Sequence, residues 1–215
     1  HTTPDALNLN ALLADMLASG CTHVFMEVSS HAVVQKRIFG LSFRGAIFSN
    51  ITRDHLDFHE TFDSYIKAKK GFFDTLPKTA FALTNVDDKR GTVMLQNTKA
   101  QKYSYGILES ADFKAKIKAN VLSGLQLELD GNEIHAQLIG QFNAYNLIAI
   151  YATAILLGEE KGEVLIALSA LKTAPGRFEQ MHGPENKMAI VDYAHTPDAL
   201  ENVLKTRSEE HTSEL

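Results

Sequence analysis

The chain has 215 residues, of which 45% are apolar and 22% charged, and its formal charge is −5. That balance belongs to an ordinary globular chain long enough to bury a sizeable core, and it speaks against a general nucleic-acid binder, which needs a basic footprint. The most apolar stretch, 147–157, is shorter than the ~20 residues that span a bilayer. The single cysteine, Cys21, excludes an internal disulfide and a cysteine zinc cluster. No charged-then-apolar signal segment opens the sequence. Composition therefore points to a cytoplasmic, enzyme-sized chain.

In chain order, residues 5–19 place Leu7, Leu9, Leu12, Leu13, Met16 and Leu17 at helical spacing, and Gly20 stops the pattern. Residues 22–28 (THVFMEV) read as a buried strand, and residues 45–49 as another. A helix is expected over 62–76, closed by Pro77. A third strand follows at 80–84 and a helix at 87–96. Alternating strands and helices predict an α/β fold with a parallel sheet and covering helices. The pattern then changes. Short strands are expected at 102–105, 113–121, 125–129 and 133–139, with a hairpin turn at Asp130-Gly131-Asn132. These form an antiparallel insert beside the parallel sheet. Helices return at 142–157 and 163–171, and a strand at 188–192. A domain boundary is expected near 175–183.

The ends read as those of a fragment. The sequence opens at His1 without an initiator Met, and residues 207–215 (RSEEHTSEL) interrupt the helix that residues 198–204 begin. That string resembles a translated DNA-sequencing adapter, so 207–215 are set aside as a non-native tail.

Five polar clusters could carry chemistry. The densest is Asn50 to His59, at the carboxyl end of strand 45–49, where ligands gather in open α/β sheets. Asp54, His55, Asp57 and His59 offer oxygen and imidazole donors for a divalent cation; a helix cap with solvated loop residues is the plainer use. The second is EVSSH at 27–31. Glu27 suits a metal and the serines suit phosphate or sugar, while a serine N-cap is the plainer use. The third is Lys67, Lys69 and Lys70, a run that is ordinarily a solvated face. The fourth is GQFNAYN at 140–146, with Asn143 and Asn146 on one helix face near an N-terminus. The fifth is DYAHTPD at 192–198, again at a strand end. No GxxxxGK[ST], GxGxxG or HExxH occurs. These residues alone describe an α/β enzyme fragment with a cation and phosphate site.

The ordered set is more specific. TTPD at 2–5, EVSSH at 27–31, Gln35 with Arg37, the 50–59 cluster, Tyr65 with Lys69, GQFNAYN, PGRFE at 175–179 and DYAHTP at 192–197 together resemble the Mur ligase family. EVSSH and DYAHTP are most similar to its UDP-N-acetylmuramoyl-dipeptide ligases, the MurE type. The resemblance covers residues 1–206. It implies a central ATPase domain over 1–177, lacking its N-terminal P-loop part, and the start of a Rossmann-like C-terminal domain over 178–206. It also implies an ATP-dependent carbon–nitrogen ligase of peptidoglycan synthesis that adds the third amino acid to UDP-N-acetylmuramoyl-L-alanyl-D-glutamate. The implied route runs through an acyl phosphate.

By the same resemblance Thr2, Thr3, Ser29, Gln35 and Arg37 bind the UDP-muramoyl-dipeptide. Glu27, His55 and a carbamylated Lys69 are the catalytic, Mg²⁺-facing groups. Asn143, Asn146, Arg177 and Asp192 contact ATP. The implied partners are that dipeptide and a free diamino acid, with neither nucleic acid nor membrane, and the expected state is a monomer. The P-loop, the uridine-binding domain and most of the C-terminal domain lie outside these residues, so the 215-residue chain is expected to be inactive by itself. The alternatives are a folate-polyglutamate or cyanophycin-type relative, a metal-dependent hydrolase built on His55, Asp57 and His59, and a non-catalytic nucleotide-binding module.

Overall fold

The computed structural model describes residues 3–52, 56–121, 123–184, 187–195, 197, 199–201 and 203–204. These residues fall into two compact units, 1–84 with 88–102, and 85–87 with 103–215. Among the described residues the architecture is α/β, with six strands in one sheet in chain order, flanked by helices.

The first unit opens with helix α1 (Ala6–Ala18), capped by the Asp5 carboxylate, which accepts the Asn8 amide at 3.0 Å. Residues 21–29 follow without forming a strand, contrary to the expectation for 22–28. β-branched and aromatic residues favour an extended backbone, but a strand also needs a partner to exchange hydrogen bonds. Among the described residues none pairs with this segment, and Phe25 is 72% exposed.

Helix α2 (Ser30–Val34) comes next, then strand β1 (Gly45–Phe48), helix α3 (Leu56–His59) and helix α4 (Phe62–Asp74). The N-cap of α4 is Thr61, whose hydroxyl accepts the Ser64 amide at 3.2 Å. Strand β2 (Phe81–Asn85) runs parallel to β1 in the register Gly45↔Phe81 to Phe48↔Thr84. The α3–α4 crossover makes that parallel pairing possible. Phe48, Phe72, Phe73, Leu76 and Met94 fill the core between strands and helices. The expected helix at 87–96 shrinks to the single turn of α5 (Gly91–Met94), because turns occupy the residues before it.

Strand β3 (Gln101–Gly106) leads into the second unit, where β4 (Phe113–Val121), β5 (Gly124–Leu129) and β6 (Asn132–Ala136) follow. Antiparallel pairing joins β4 to β5 and β5 to β6. The β5–β6 turn is two residues long, with Asp130 at φ 44° and Gly131 at φ 81°. Positive φ at both positions matches the right-handed twist of the strands. Helices α6 (Gln141–Leu157) and α7 (Lys161–Ser169) cover this sheet. Leu125, Leu127, Leu129, Leu147 and Ile148 lie between the layers at 1% exposure or less, and each such side chain contributes about 2 kcal/mol through burial. Strands β7 (Glu179–His182) and β8 (Met188–Val191) form a separate antiparallel pair; β8 was expected, β7 was not. No helix among the described residues is long and apolar enough to cross a membrane.

Gly124 is required by space and by backbone conformation together. A Cβ on Gly124 would stand 2.0 Å from the Ala136 carbonyl oxygen, and its φ is 132°. Gly131 also has positive φ, but nothing lies within 4 Å of its missing Cβ. Urea unfolding of Gly124→Ala is expected to show a loss of about 3 kcal/mol, from strain plus overlap with backbone. Gly131→Ala is expected to lose only about 1 kcal/mol, from the left-handed backbone alone. Equal losses would contradict the assigned β5–β6 register.

Candidate active site

In the first unit a polar corner forms around α2. The Ser29 hydroxyl accepts the Ala32 amide at 3.2 Å and caps the helix, and an accepting hydroxyl keeps its own proton to donate. The helix ends in a double reversal. Lys36 N donates to Val33 O at 3.1 Å and Arg37 N donates to Ala32 O at 2.8 Å, with Lys36 at φ 54°. Glycine is the usual residue at that position, and a side chain there costs about 1 kcal/mol.

The reversal turns Arg37 back toward the start of the chain. Its Nη1 donates to the Thr3 carbonyl at 2.8 Å and its Nε to Gln35 Oε1 at 2.8 Å. Thr3, 1% exposed, donates through Oγ1 to the Glu27 carbonyl at 3.3 Å. Thr3, Glu27, Gln35 and Arg37 are thus joined by hydrogen bonds, with Ser29 two residues beyond Glu27. A guanidinium and a hydroxyl are both donors suited to an anionic ligand. Thr2 and His55 lie outside the described residues.

The lysine run on α4 divides by neighbour. Lys70 pairs with Asp74 at 2.7 Å and Lys67 is exposed. Lys69 is half-buried, 5.3 Å from the centre of the Tyr65 ring. Sequence reasoning missed a buried contact nearby: His59 Nε2 lies 2.7 Å from Ser30 Oγ. The two residues are 7% and 1% exposed, and the His59 ring packs 5.1 Å from Tyr65. They stand 29 positions apart, so no local pattern reveals the contact. This inward placement removes one of the three ligands that a hydrolase built on His55, Asp57 and His59 would use.

In the second unit the decisive group is Asp87, which sequence reasoning also missed. Its carboxylate accepts the amides of Ile107 at 2.6 Å, Leu108 at 2.9 Å and Glu109 at 2.7 Å, and the Tyr145 hydroxyl at 2.8 Å. A Cβ on Gly106 would stand 3.1 Å from this carboxylate, a tight approach to the strand end. Burial pushes the Asp87 carboxyl up, but the backbone amides and the phenol outweigh it and hold it below its ordinary value. Burial, and then Asp87, push the Tyr145 phenol up. Tyr145 lies between the two asparagines of α6. Asn143 is buried and donates through Nδ2 to the Ile139 carbonyl at 2.8 Å. Exposed Asn146 donates through Nδ2 to Asn143 Oδ1 at 3.1 Å.

Asp192 braces a turn in the same unit. It accepts the Phe178 amide at 2.8 Å and the Ala194 amide at 2.7 Å. Arg177 is exposed, with its guanidinium 5.6 Å over the Tyr193 ring. Phe178 is buried with φ 52° and packs 6.0 Å from Phe142, beside Asn143. Asn143, Asn146, Arg177 and Asp192 therefore all sit in one unit.

Residues 1–154 match the Mur ligase middle domain. The chain belongs to the Mur ligase family. It is 62% identical over 209 residues to a UDP-N-acetylmuramoyl-L-alanyl-D-glutamate–2,6-diaminopimelate ligase from Cytophaga hutchinsonii, covering 97% of this chain and 43% of that protein. A ligase of the same name from Phocaeicola vulgatus is 57% identical over 204 residues, covering 95% of this chain and 42% of that protein. A solved structure of a ligase with that name superposes with a TM-score of 0.83 at 33% identity, covering 98% of this chain and 45% of that one. The chain thus spans less than half the length of these relatives.

Because the folded-state value of Asp87 is depressed, its contribution to the stability of this Mur ligase chain is complete above its ordinary 3.8. That contribution is lost as pH falls through the lower folded value. Asp87→Asn is expected to cost about 2 kcal/mol at pH 7 in urea unfolding, the scale of hydrogen bonds to a charged group. The difference from the parent should shrink below pH 3.8. A difference constant from pH 7 to pH 3 would contradict the assigned contacts.

Proposed function

We propose that the whole protein is an ATP-dependent amide ligase of the MurE type, with this chain as its central part. It joins a free diamino acid, diaminopimelate as in the relatives' names, to UDP-N-acetylmuramoyl-L-alanyl-D-glutamate in peptidoglycan synthesis. The observation that carries this is the polar corner: residues that the resemblance marks as substrate contacts, Thr3, Gln35 and Arg37, meet on one guanidinium. In this reading residues 1–177 form the ATP-binding domain, 178–206 begin the C-terminal domain, and 207–215 are a non-native tail. The enzyme works as a cytoplasmic monomer.

The division of labour follows from the side chains. Arg37 and Ser29 bind the anionic dipeptide substrate. A substrate carboxylate oxygen attacks the γ-phosphorus of ATP, ADP leaves, and an acyl phosphate results. The incoming amine attacks the carbonyl carbon and loses a proton, and phosphate departs. Asn146 and Arg177 hold the nucleotide base and phosphates. Lys69 as an ammonium ion is no metal ligand. Its neutral amine adds to CO₂, loses a proton and becomes a carboxylate. With Glu27 and His55 it then offers two oxygen donors and an imidazole, a set that suits Mg²⁺. Lys69 is half-buried beside the Tyr65 ring, on the helix that follows the 50–59 cluster. When bound, Mg²⁺ neutralises charge on the phosphoryl oxygens.

In the full-length protein, phosphate release is expected only when the UDP-muramoyl-dipeptide, ATP and diaminopimelate are present together. Lys69→Arg keeps the positive charge but forms no carbamate, and should lower kcat by about 100-fold or more, the scale of losing a charge-stabilising group. ¹³C-bicarbonate should give a carbamate carbonyl resonance in the parent and none in Lys69→Arg. Full activity of Lys69→Arg would sink the carbamate role. Phosphate release independent of both acceptor and amine would sink the ligase reading.

A further inference from the structure

The two asparagines at the start of α6 do not hold equivalent positions. Asn143 is 8% exposed and Asn146 is exposed. The Ile139 carbonyl only accepts, so the Asn143 atom 2.8 Å from it must be the amide nitrogen. That assignment points Asn143 Oδ1 toward Asn146 at 3.1 Å, where it in turn demands a donor. Asn146 must therefore spend one N–H inward. Its Oδ1 and its second N–H remain on the exposed side, without a hydrogen-bond partner among the described residues. The polarity of the outer amide is thus set by a backbone carbonyl two links away.

The surroundings hold this relay still. Tyr145, between the two asparagines, is tied to Asp87, which three backbone amides grip. The helix-opening Gly140 donates its amide to Asn120 Oδ1 at 2.9 Å. The Asn143 backbone amide donates to the Gly140 carbonyl at 2.9 Å.

We propose that Asn143 is a positioning residue that fixes base selectivity: it locks the Asn146 amide with an acceptor and one donor outward, the complement of the adenine edge. Adenine presents an amino donor beside a ring-nitrogen acceptor, which an asparagine amide meets with two bonds. Guanine presents two acceptors at the same edge, and one would face Asn146 Oδ1. This inference rests on the nucleotide-binding reading of the preceding section and goes beyond it, because Asn143 acts through Asn146 rather than touching the base.

The test compares two substitutions in the full-length protein, with kcat/KM for ATP and for GTP as the readout. Asn143→Leu and Asn143→Asp both remove the donor to Ile139, so both should lower the unfolding midpoint. They differ at Asn146. The carboxylate of Asn143→Asp still accepts from Asn146 and keeps its orientation, whereas leucine releases it. Asn143→Leu is expected to lower the ATP/GTP ratio about tenfold or more through KM, the scale of one bidentate base contact. Asn143→Asp should keep the ratio within about threefold of the parent. Asn143→Ala reads the same orientation loss if the leucine variant does not fold. An unchanged ratio in the apolar variants, or equal loss in all three, overturns the relay while leaving ATP use intact. A parent enzyme that turns over neither nucleotide overturns the ligase reading and the relay with it.

Discussion

One carboxylate organises the second unit. Asp87 follows β2, and its two oxygens collect three consecutive backbone amides and one phenol. Those amides belong to the turn between β3 and β4, and the phenol belongs to the first turns of α6. Without such an acceptor three adjacent N–H groups would need water or another partner. The carboxylate packs tightly over Gly106, where a Cβ would stand 3.1 Å from it. The register of a strand end, the path of a turn and the azimuth of a helix are therefore set by a single charge. The next residue, Asp88, serves the first unit, where it accepts the Ile51 and Arg90 amides.

The first unit depends on a tighter local device. The end of α2 reverses through a lysine in a conformation that glycine usually takes. Strain at that point returns Arg37 to the start of the chain, where it meets the Thr3 carbonyl. The cost is small against the Arg37 bonds it makes possible. The neighbouring Ser30–His59 contact fastens the EVSSH segment to α3 inside an aromatic cluster. Both devices serve the polar residues at the surface by anchoring the backbone beneath them.

Local chemistry was legible where a residue signals its own structure. The Ser29 cap, the Asp130-Gly131 turn and the apolar run of α6 all read directly from sequence and reappear in the fold. What stayed hidden was pairing over distance. Residues 22–28 have strand composition but no partner strand among the described residues, and composition carries no information about partners. The His59–Ser30 contact and the Asp87 amide cage join positions tens of residues apart. The inward turn of Asn143 was hidden for a different reason: two asparagines three apart on a helix look alike until a fixed carbonyl decides which way each amide faces.

The proposed ligase reaction transfers a carboxylate oxygen to phosphorus. Labelling that oxygen tests it most directly. The full-length protein would be given UDP-N-acetylmuramoyl-L-alanyl-D-glutamate carrying ¹⁸O in its free carboxylates, together with ATP, Mg²⁺ and diaminopimelate. An acyl phosphate intermediate leaves one ¹⁸O in the inorganic phosphate released with each amide formed. Phosphate carrying only solvent or ATP oxygen would show that water, rather than the substrate carboxylate, attacks the nucleotide, and would contradict amide ligation by this route.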